Sequence, residues 1–309
     1  MSKESPFLTL AEDAYRMAIG ARPLGNECLI EIDPDHYLPE VALKQHILSS
    51  DLRYYAQALP GCEPAQWDVL ELVLTTLASI YPQQFTLDRS GPIWHWHNHQ
   101  TNTQALFRPG VNADLPCAPL DWAGRQVQED LLLLSADTTA GFPLIAGQLC
   151  YANRWCLDDK IGQPFIAIHD SVPGFAEQIG RSSSLLLERL KAERPVWRLN
   201  WSILATGELN RATRFGHELD GEREGVNADN AGQRCCFRTE RQTLTRLPRT
   251  NTILFTVHTY IAPIAQLVAN ATFRSKLLGV LRTTPPEIIA YKGMAIFIAP
   301  LREYLERAA

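Results

Sequence analysis

Three of the eight histidines in the chain lie within the hexapeptide WHWHNH, at residues 94–99. If this segment is a strand, the alternation of side chains puts His95, His97 and His99 on one face. Neutral imidazoles that converge in this way suit zinc, copper or iron. The flanking tryptophans and prolines favour an irregular, partly exposed stretch, so a surface or interface role competes with a metal site.

Two further histidines lie in segments of a different character. His169 stands in the sequence IHDSVPGF at the predicted start of a helix, where a capping or core histidine is the ordinary interpretation. His258 stands in FTVHTY, and in a strand it would share one face with Thr256 and Tyr260. Such an inward polar triplet is costly in a core unless it faces a ligand or water.

Charged and aromatic residues alternate along two other strand candidates. The sequence RTERQTLTR puts Arg238, Glu240 and Gln242 on one face of a strand and Arg241 on the other. A solvated, charge-alternating face is the simpler interpretation. In VWRLNWSI, Trp197 and Trp201 share a face, which suits an ordinary core or the wall of a flat ligand or a methylammonium cation.

The elements that must position these residues follow from hydrophobic periodicity. Helices are predicted at 41–59, 64–81, 169–193 and 263–309, and a helix that ends as an apolar strand at 122–137. A strand, a turn and a second strand are predicted at 142–157, further strands at 195–204, 234–247 and 250–262, and loops and short strands at 82–118. This order predicts an α+β fold with a mainly antiparallel sheet. We expect one domain over 1–309, with a mainly helical N-terminal extension (1–120), a core (121–265) and C-terminal helices (266–309). A small sheet crossed by a helix is a suitable cradle for a flat ligand.

Composition excludes several classes of function. The chain has 309 residues, 46% of them hydrophobic, and a net charge of −5 without a basic stripe, so nucleic-acid binding has no electrostatic support. No apolar run reaches the roughly 18 residues that span a bilayer, and the polar start is not a secretory signal. The seven cysteines are scattered without a C-x-x-C pair, which argues against disulfides, structural zinc and iron–sulfur centres and favours the cytoplasm. Nucleotide-binding glycine motifs are missing, so electrons for redox chemistry would have to come from elsewhere.

Several segments together resemble the α subunit of haem-dependent oxidative N-demethylase and its relatives. The segments are AYRMAIGARPL (14–24), VQEDLLLLS (127–135), KIGQPFIAIHDSVPGF (160–175), VWRLNWSI (196–203) and FRTERQTLTRLPRTNTILFTVHTYIAPI (237–264). The resemblance implies a PAS-like antiparallel sheet core with a haem-cradling helix, flanked by N- and C-terminal helices. It also implies that a b-type haem uses O2 to oxidise dimethylamine to methylamine and formaldehyde. Electrons would come from NADPH through flavin and iron–sulfur centres on partner reductase subunits.

The resemblance also suggests roles for single residues. His169 becomes the expected axial ligand of the haem iron, since one imidazole nitrogen can bind metal while the other donates a hydrogen bond. His258 is expected in the distal pocket together with Tyr260, with an alternative iron ligand or a structural histidine as competing interpretations. Glu240 is the nearby carboxylate that could bind a protonated amine.

The haem propionates need cationic partners, for which Arg241 and Arg246 are the candidates. Trp197 could form a wall beside the haem plane. Two rival functions remain open from the sequence. One is a haem-PAS gas or redox sensor, because fold alone does not determine function. The other is a non-haem metalloprotein centred on His95, His97 and His99.

Overall fold

A seven-stranded antiparallel sheet organises the computed structural model, which describes residues 7, 10, 12–215 and 220–308. The strands are β1 (Arg22–Pro23), β2 (Ala56–Ala58), β3 (Phe85–Asp88), β4 (Trp94–Asn98), β5 (Thr103–Phe107), β6 (Asp130–Leu134), β7 (Leu144–Gln148), β8 (Val196–Leu204), β9 (Cys236–Arg246) and β10 (Ile253–Pro263). The large sheet has the order β1-β8-β9-β10-β6-β7-β2, and β3-β4-β5 form a separate small sheet.

Helices surround both sheets. They are α1 (Tyr37–Ser50), α2 (Leu52–Tyr55), α3 (Glu63–Ile80), α4 (Pro119–Gly124), α5 (Phe165–Ile168), α6 (Arg181–Arg189), α7 (Asp220–Glu224), α8 (Ala231–Arg234), α9 (Ile264–Leu267), α10 (Ala271–Thr283), α11 (Pro286–Tyr291) and α12 (Ile298–Arg307). Within the described ranges, none of these helices is long and apolar enough to cross a membrane.

The antiparallel sheets and the helices together confirm the predicted α+β class with an antiparallel sheet.

The hairpin of β9 and β10 forms the centre of the large sheet. Its register pairs His258 with Arg241 and Thr259 with Glu240, and β8 continues the pattern by pairing Arg198 with Gln242. Paired residues of antiparallel strands point to the same side, and neighbours along a strand point to opposite sides. We call the side with Thr239, Arg241, Thr243, Thr256, His258 and Tyr260 the closed face, and the side with Arg198, Asn200, Arg238, Glu240, Gln242 and Thr259 the cleft face.

The closed face is covered at both ends. At the β6 end, Leu131 and Leu254 belong to an apolar core built with α3, α4 and the small sheet. At the β8 end, Ile203 and Phe237 belong to a second core formed with α8, α10 and α12. Apolar burial at the two ends therefore fixes these layers on the sheet, and the residues between them are shielded from water.

The cleft face is buried at both ends but less so along the middle of β8. At one end, Leu132, Leu244 and Ile253 pack with Leu187 and Leu190, at the end of α6, and at the other end Leu204 and Arg238 are buried. Further along, the residues of β8 from Val196 to Trp201 are all half-buried, and so are those of 165–169 on the facing segment. Neither side is fully buried, and the charge of Arg198 on β8 acts on His169. We call the region between the segment that contains α5 and the middle of β8 and β9 the cleft.

Several local predictions are wrong. Of the strand, turn and strand predicted over 142–157, only the first strand forms, as β7, and the end of the helix predicted over 41–59 is strand β2. The helix predicted over 169–193 is broken: α5 ends before His169, and a π-helical turn at Ala176–Gly180 leads into α6. Gly174 adopts φ +74 directly after Pro173, a conformation that interrupts a right-handed helix. The irregular stretch predicted around WHWHNH is instead the regular middle strand β4 of the small sheet.

Candidate functional site

His169 lies on the segment that faces the cleft, directly after α5. Its Nδ1 is 2.8 Å from the carbonyl oxygen of Phe165, so Nδ1 carries the proton and donates it. The imidazole stacks on Phe175 at 4.2 Å with an interplanar angle of 9° and also contacts the Phe165 ring. One nitrogen is thereby fixed and the other, Nε2, keeps its lone pair.

The electrostatic surroundings keep this imidazole neutral. Burial lowers the pKa of His169, and the positive charges of Arg198 and Lys160 lower it further against the opposing effect of the Phe165 carbonyl. A neutral imidazole with one oriented donor is the form that ligates a metal. The same interaction indicates that Arg198, on β8, lies close enough to His169 for its positive charge to lower the pKa of the imidazole.

Glu240 is the carboxylate of the cleft face. It accepts hydrogen bonds from Arg238 Nε at 3.1 Å, Asn200 Nδ2 at 3.2 Å and Gln242 Nε2 at 3.0 Å. Burial alone would raise the pKa of Glu240, but the charge of Arg238 and these three donors lower it below its ordinary value. The side chain is therefore ionised, and 14% of its surface remains exposed to the cleft.

Arg198 is a residue of the cleft face that sequence reasoning missed. Its Nε is buried and has no hydrogen-bond partner among the described residues. Burial lowers the pKa of Arg198, and Glu240 opposes that effect. The alternation in VWRLNWSI already placed Arg198 opposite the tryptophans, but an arginine at such a position usually faces solvent.

Lys292, which follows α11, adds a second cation at the edge of β8. Its Nζ donates to the carbonyl oxygen of Trp201 at 2.6 Å and lies 4.6 Å from the centre of the Trp201 ring. Burial lowers the pKa of Lys292 to about 8, with Glu240 raising it and Arg198 lowering it. Lys292 therefore lies at the edge of β8 against Trp201, whose side chain points to the same side as Thr239 of the closed face.

His258 and Tyr260 lie on the closed face, on the other side of the sheet from Glu240. Tyr260 donates to Glu31 Oε1 at 2.5 Å, and His258 Nδ1 lies 3.4 Å from Glu129 Oε1. Burial alone would lower the pKa of His258, but Glu129 outweighs that effect and the pKa is raised. Burial raises the pKa of Tyr260, and Glu31 raises it further.

Arg241 completes this cluster. Its Nε lies 3.0 Å from Glu31 Oε2 and its Nη2 donates to the Cys28 carbonyl oxygen at 2.5 Å, while its guanidinium lies 5.6 Å from the Trp197 ring. The backbone N–H of Glu31 donates to Glu129 at 2.7 Å. The closed-face cluster, which consists of Glu31, Glu129, Arg241, His258 and Tyr260, thus binds residues 27–33 across the sheet.

Arg246 has a different environment again. Its guanidinium donates to the carbonyl oxygens of Leu187 at 2.9 Å, Leu190 at 2.8 Å and Asn251 at 3.0 Å. The first two bonds satisfy carbonyl groups at the end of α6, which have no partner within the helix, and the third binds the turn between β9 and β10. The structure therefore does not bring the predicted residues into one pocket. His169 and Glu240 face the cleft, and Arg246 binds the end of α6. The closed face contains the other four, namely Arg241, His258, Tyr260 and Trp197.

The histidines of WHWHNH lie on the outer surface of the small sheet. As predicted for a strand, alternation buries Trp96 and leaves His95 exposed and His97 half-buried on the outer side. The rings of His97 and His99 are 3.9 Å apart. Within the described part of the chain, no group of three or more His, Cys, Asp or Glu side chains is arranged to hold a metal ion.

Comparison with protein families gives one match that covers nearly the whole chain. Residues 20–301 match the family described as haem-dependent oxidative N-demethylase, alpha subunit-like. The match includes every segment that faces the cleft and confirms the resemblance read from the sequence motifs. The chain belongs to the haem-dependent oxidative N-demethylase, alpha subunit-like family.

Proposed function

We propose that this chain is the haem-binding catalytic subunit of an oxidative N-demethylase and that His169 is the axial ligand of the iron. The proposal rests on the hydrogen bonding and protonation of the His169 imidazole. Its Nδ1 is committed to the Phe165 carbonyl at 2.8 Å, which leaves a neutral Nε2 on a segment that borders a half-open cleft. Haem iron is commonly held by a histidine with its second nitrogen fixed in this way.

The residues that border the cleft fit a tetrapyrrole. On one side lie half-buried apolar side chains of the segment that contains α5, among them Phe165 and Ile166. On the other side lies the polar cleft face of β8 and β9. A flat cofactor with an apolar ring and a charged edge matches this pairing of surfaces. In the proposed PAS-like arrangement, this segment is the haem-cradling element.

The proposed substrate is a small secondary amine, with dimethylamine as the expected case. One dimethylamine, one O2, two electrons and two protons give methylamine, formaldehyde and water. Haem, when bound, would supply the O2 chemistry. NADPH, through flavin and iron–sulfur centres on partner subunits, is the proposed source of electrons, and the cytoplasm is the proposed compartment.

The role proposed for Glu240 follows from its charge. Its ionised carboxylate attracts the ammonium form of a secondary amine, and its three hydrogen bonds keep it ionised and fixed. A carboxylate offers about four lone-pair positions, so one remains for a substrate N–H. We propose that His258, Tyr260, Arg241 and Trp197, on the other face, stabilise the fold and do not contact the substrate.

The test combines spectroscopy with turnover. The purified chain, loaded with haem, is expected to show a Soret band that shifts on reduction. With dimethylamine, O2 and a reductant, it should form formaldehyde. His169→Ala should alter or lose both signals, while the control His46→Ala, at an exposed position of α1, should retain them. A chain that binds no haem would contradict the proposal, and one that binds haem without amine-dependent turnover would favour a haem-based sensor.

A further inference from the structure

The cleft face contains a guanidinium whose hydrogen-bonding capacity is not used. Arg198 points to the same side of the sheet as Gln242, its partner in β9. Its Nε is shielded from water and has no hydrogen-bond partner within the described ranges. A buried N–H donor that lacks such a partner is unfavourable, because the hydrogen bond to water that it has lost is not replaced.

The neighbouring carboxylate does not meet this need. Glu240 accepts hydrogen bonds from Arg238, Asn200 and Gln242, and none from Arg198. Arg198 and Glu240 attract each other electrostatically, but the N–H groups of the Arg198 guanidinium remain available to donate hydrogen bonds to a ligand. An external anion is therefore the group that would complete this side of the cleft.

The other arginines of β8 and β9 are already engaged. Arg238 bonds to Glu240 and to the carbonyl oxygens of Leu209 and Tyr151. Arg241 lies on the closed face, bound to Glu31, and Arg246 binds three carbonyl oxygens around the end of α6. Of the four, only Arg198 combines a place on the cleft face with the absence of any hydrogen-bond partner in the described structure.

We propose that Arg198 binds a propionate carboxylate of the haem. This inference rests on the proposed function. A guanidinium is suited to a carboxylate because its planar fork can donate two parallel hydrogen bonds. A simple secondary amine has no anionic group to offer, whereas haem has two carboxylates. Arg198 therefore takes the role that the sequence alone suggested for Arg241 or Arg246.

The test is a haem titration of the purified full-length chain, followed by Soret absorbance, with wild type, Arg198→Met and Arg198→Lys. Each protein is titrated with haem and with haem dimethyl ester, in which both propionates are esterified. Arg198→Met is expected to weaken haem binding at least about tenfold and to leave binding of the ester unchanged. Arg198→Lys, which keeps the charge and loses the fork, should fall between wild type and Arg198→Met. Arg89→Met, at an exposed position beside the small sheet, is the matched control and should match wild type.

Different failures are distinguishable. If wild type binds no haem, the proposed function fails. If wild type binds haem and Arg198→Met binds it equally well, or loses haem and ester to the same extent, the propionate assignment alone is overturned. If Arg198→Met does not fold by circular dichroism, Arg198→Lys decides, since a loss confined to haem supports the assignment and an equal loss for haem and ester contradicts it.

Discussion

The two faces of the β9–β10 hairpin differ in ion pairing: the closed face pairs its charges, although both His258 nitrogens and Arg241 Nη1 lack a hydrogen-bond partner among the described residues, whereas Arg198 on the cleft face has no ion pair within them. On the closed face, Arg241 and Glu31 lie 3.0 Å apart with side chains only 5% and 7% exposed, and they bind residues 27–33 to the sheet. On the cleft face, His169 keeps a free nitrogen and Arg198 keeps a donor without a partner among the described residues.

We use this difference in ion pairing and exposure to separate the polar groups that we regard as structural from those that we regard as ligand-binding. Charges that compensate each other in a closed core stabilise one conformation, although removal of one partner is costly. Groups that remain uncompensated beside a half-open cleft are instead available to a ligand. Both faces carry charged residues in the sequence, so composition alone does not separate the two roles.

The largest effect on stability is expected from Arg241→Met. The substitution removes the cation next to Glu31 and leaves a buried carboxylate in the closed-face cluster. We expect the free energy of unfolding in urea to fall by about 3–5 kcal/mol. The double variant Arg241→Met with Glu31→Gln should recover part of this loss. A single variant as stable as wild type would show that the cluster does not hold the N-terminal segment.

Glu240→Gln is expected to have a smaller effect on stability. The amide keeps the shape of the side chain but removes the negative charge that Arg238 binds at 3.1 Å. We expect a loss of about 2 kcal/mol in urea unfolding, less than for Arg241→Met because the Glu240 side chain is 14% exposed and the Glu31 side chain only 7%. A larger loss than for Arg241→Met would reverse the comparison between the two faces.

The closed face should also show a pH dependence through His258. The groups around this histidine are Glu129, Glu31, Glu40 and Tyr260, and the net effect raises its pKa in the folded state. A raised folded pKa contributes stability that is fully present below the ordinary value of 6.5 and is lost as the pH rises through the folded pKa.

Urea unfolding between pH 6 and pH 9 measures this contribution. Wild type should lose more of its free energy of unfolding than His258→Gln as the pH rises. Identical pH profiles for the two proteins would show that His258 does not change its protonation on folding.

The sequence predicted the strands of the hairpin well because their signal is local. Alternating side chains mark β8, β9 and β10 within three residues of their observed bounds. The helix at 169–193 was less predictable, since its apolar spacing continues across Pro173 and Gly174 while the backbone does not. A proline in an apparent first turn looks acceptable, and the positive φ of Gly174 is visible only in the structure.

The site was predicted only in part because it depends on register. Alternation within each strand shows which residues of β9, or of β10, share a side of the sheet. It does not show whether Glu240 of β9 lies on the same side as His258 of β10. That follows from the pairing of His258 with Arg241, which the turn at 247–252 determines. The contribution of Glu31 was not predictable, because it meets Tyr260 across 229 positions of the chain without any local pattern.

The most direct test of the account compares one histidine from each face. Haem is titrated into wild type, His169→Ala and His258→Ala, with His97→Ala on the small sheet as control, and the Soret band and dissociation constant are measured. We predict that His169→Ala loses the wild-type band or weakens binding by at least about tenfold, while the other two variants keep wild-type spectra. Retention of the wild-type spectrum in His169→Ala together with its loss in a folded His258→Ala would place the haem on the closed face and contradict the account.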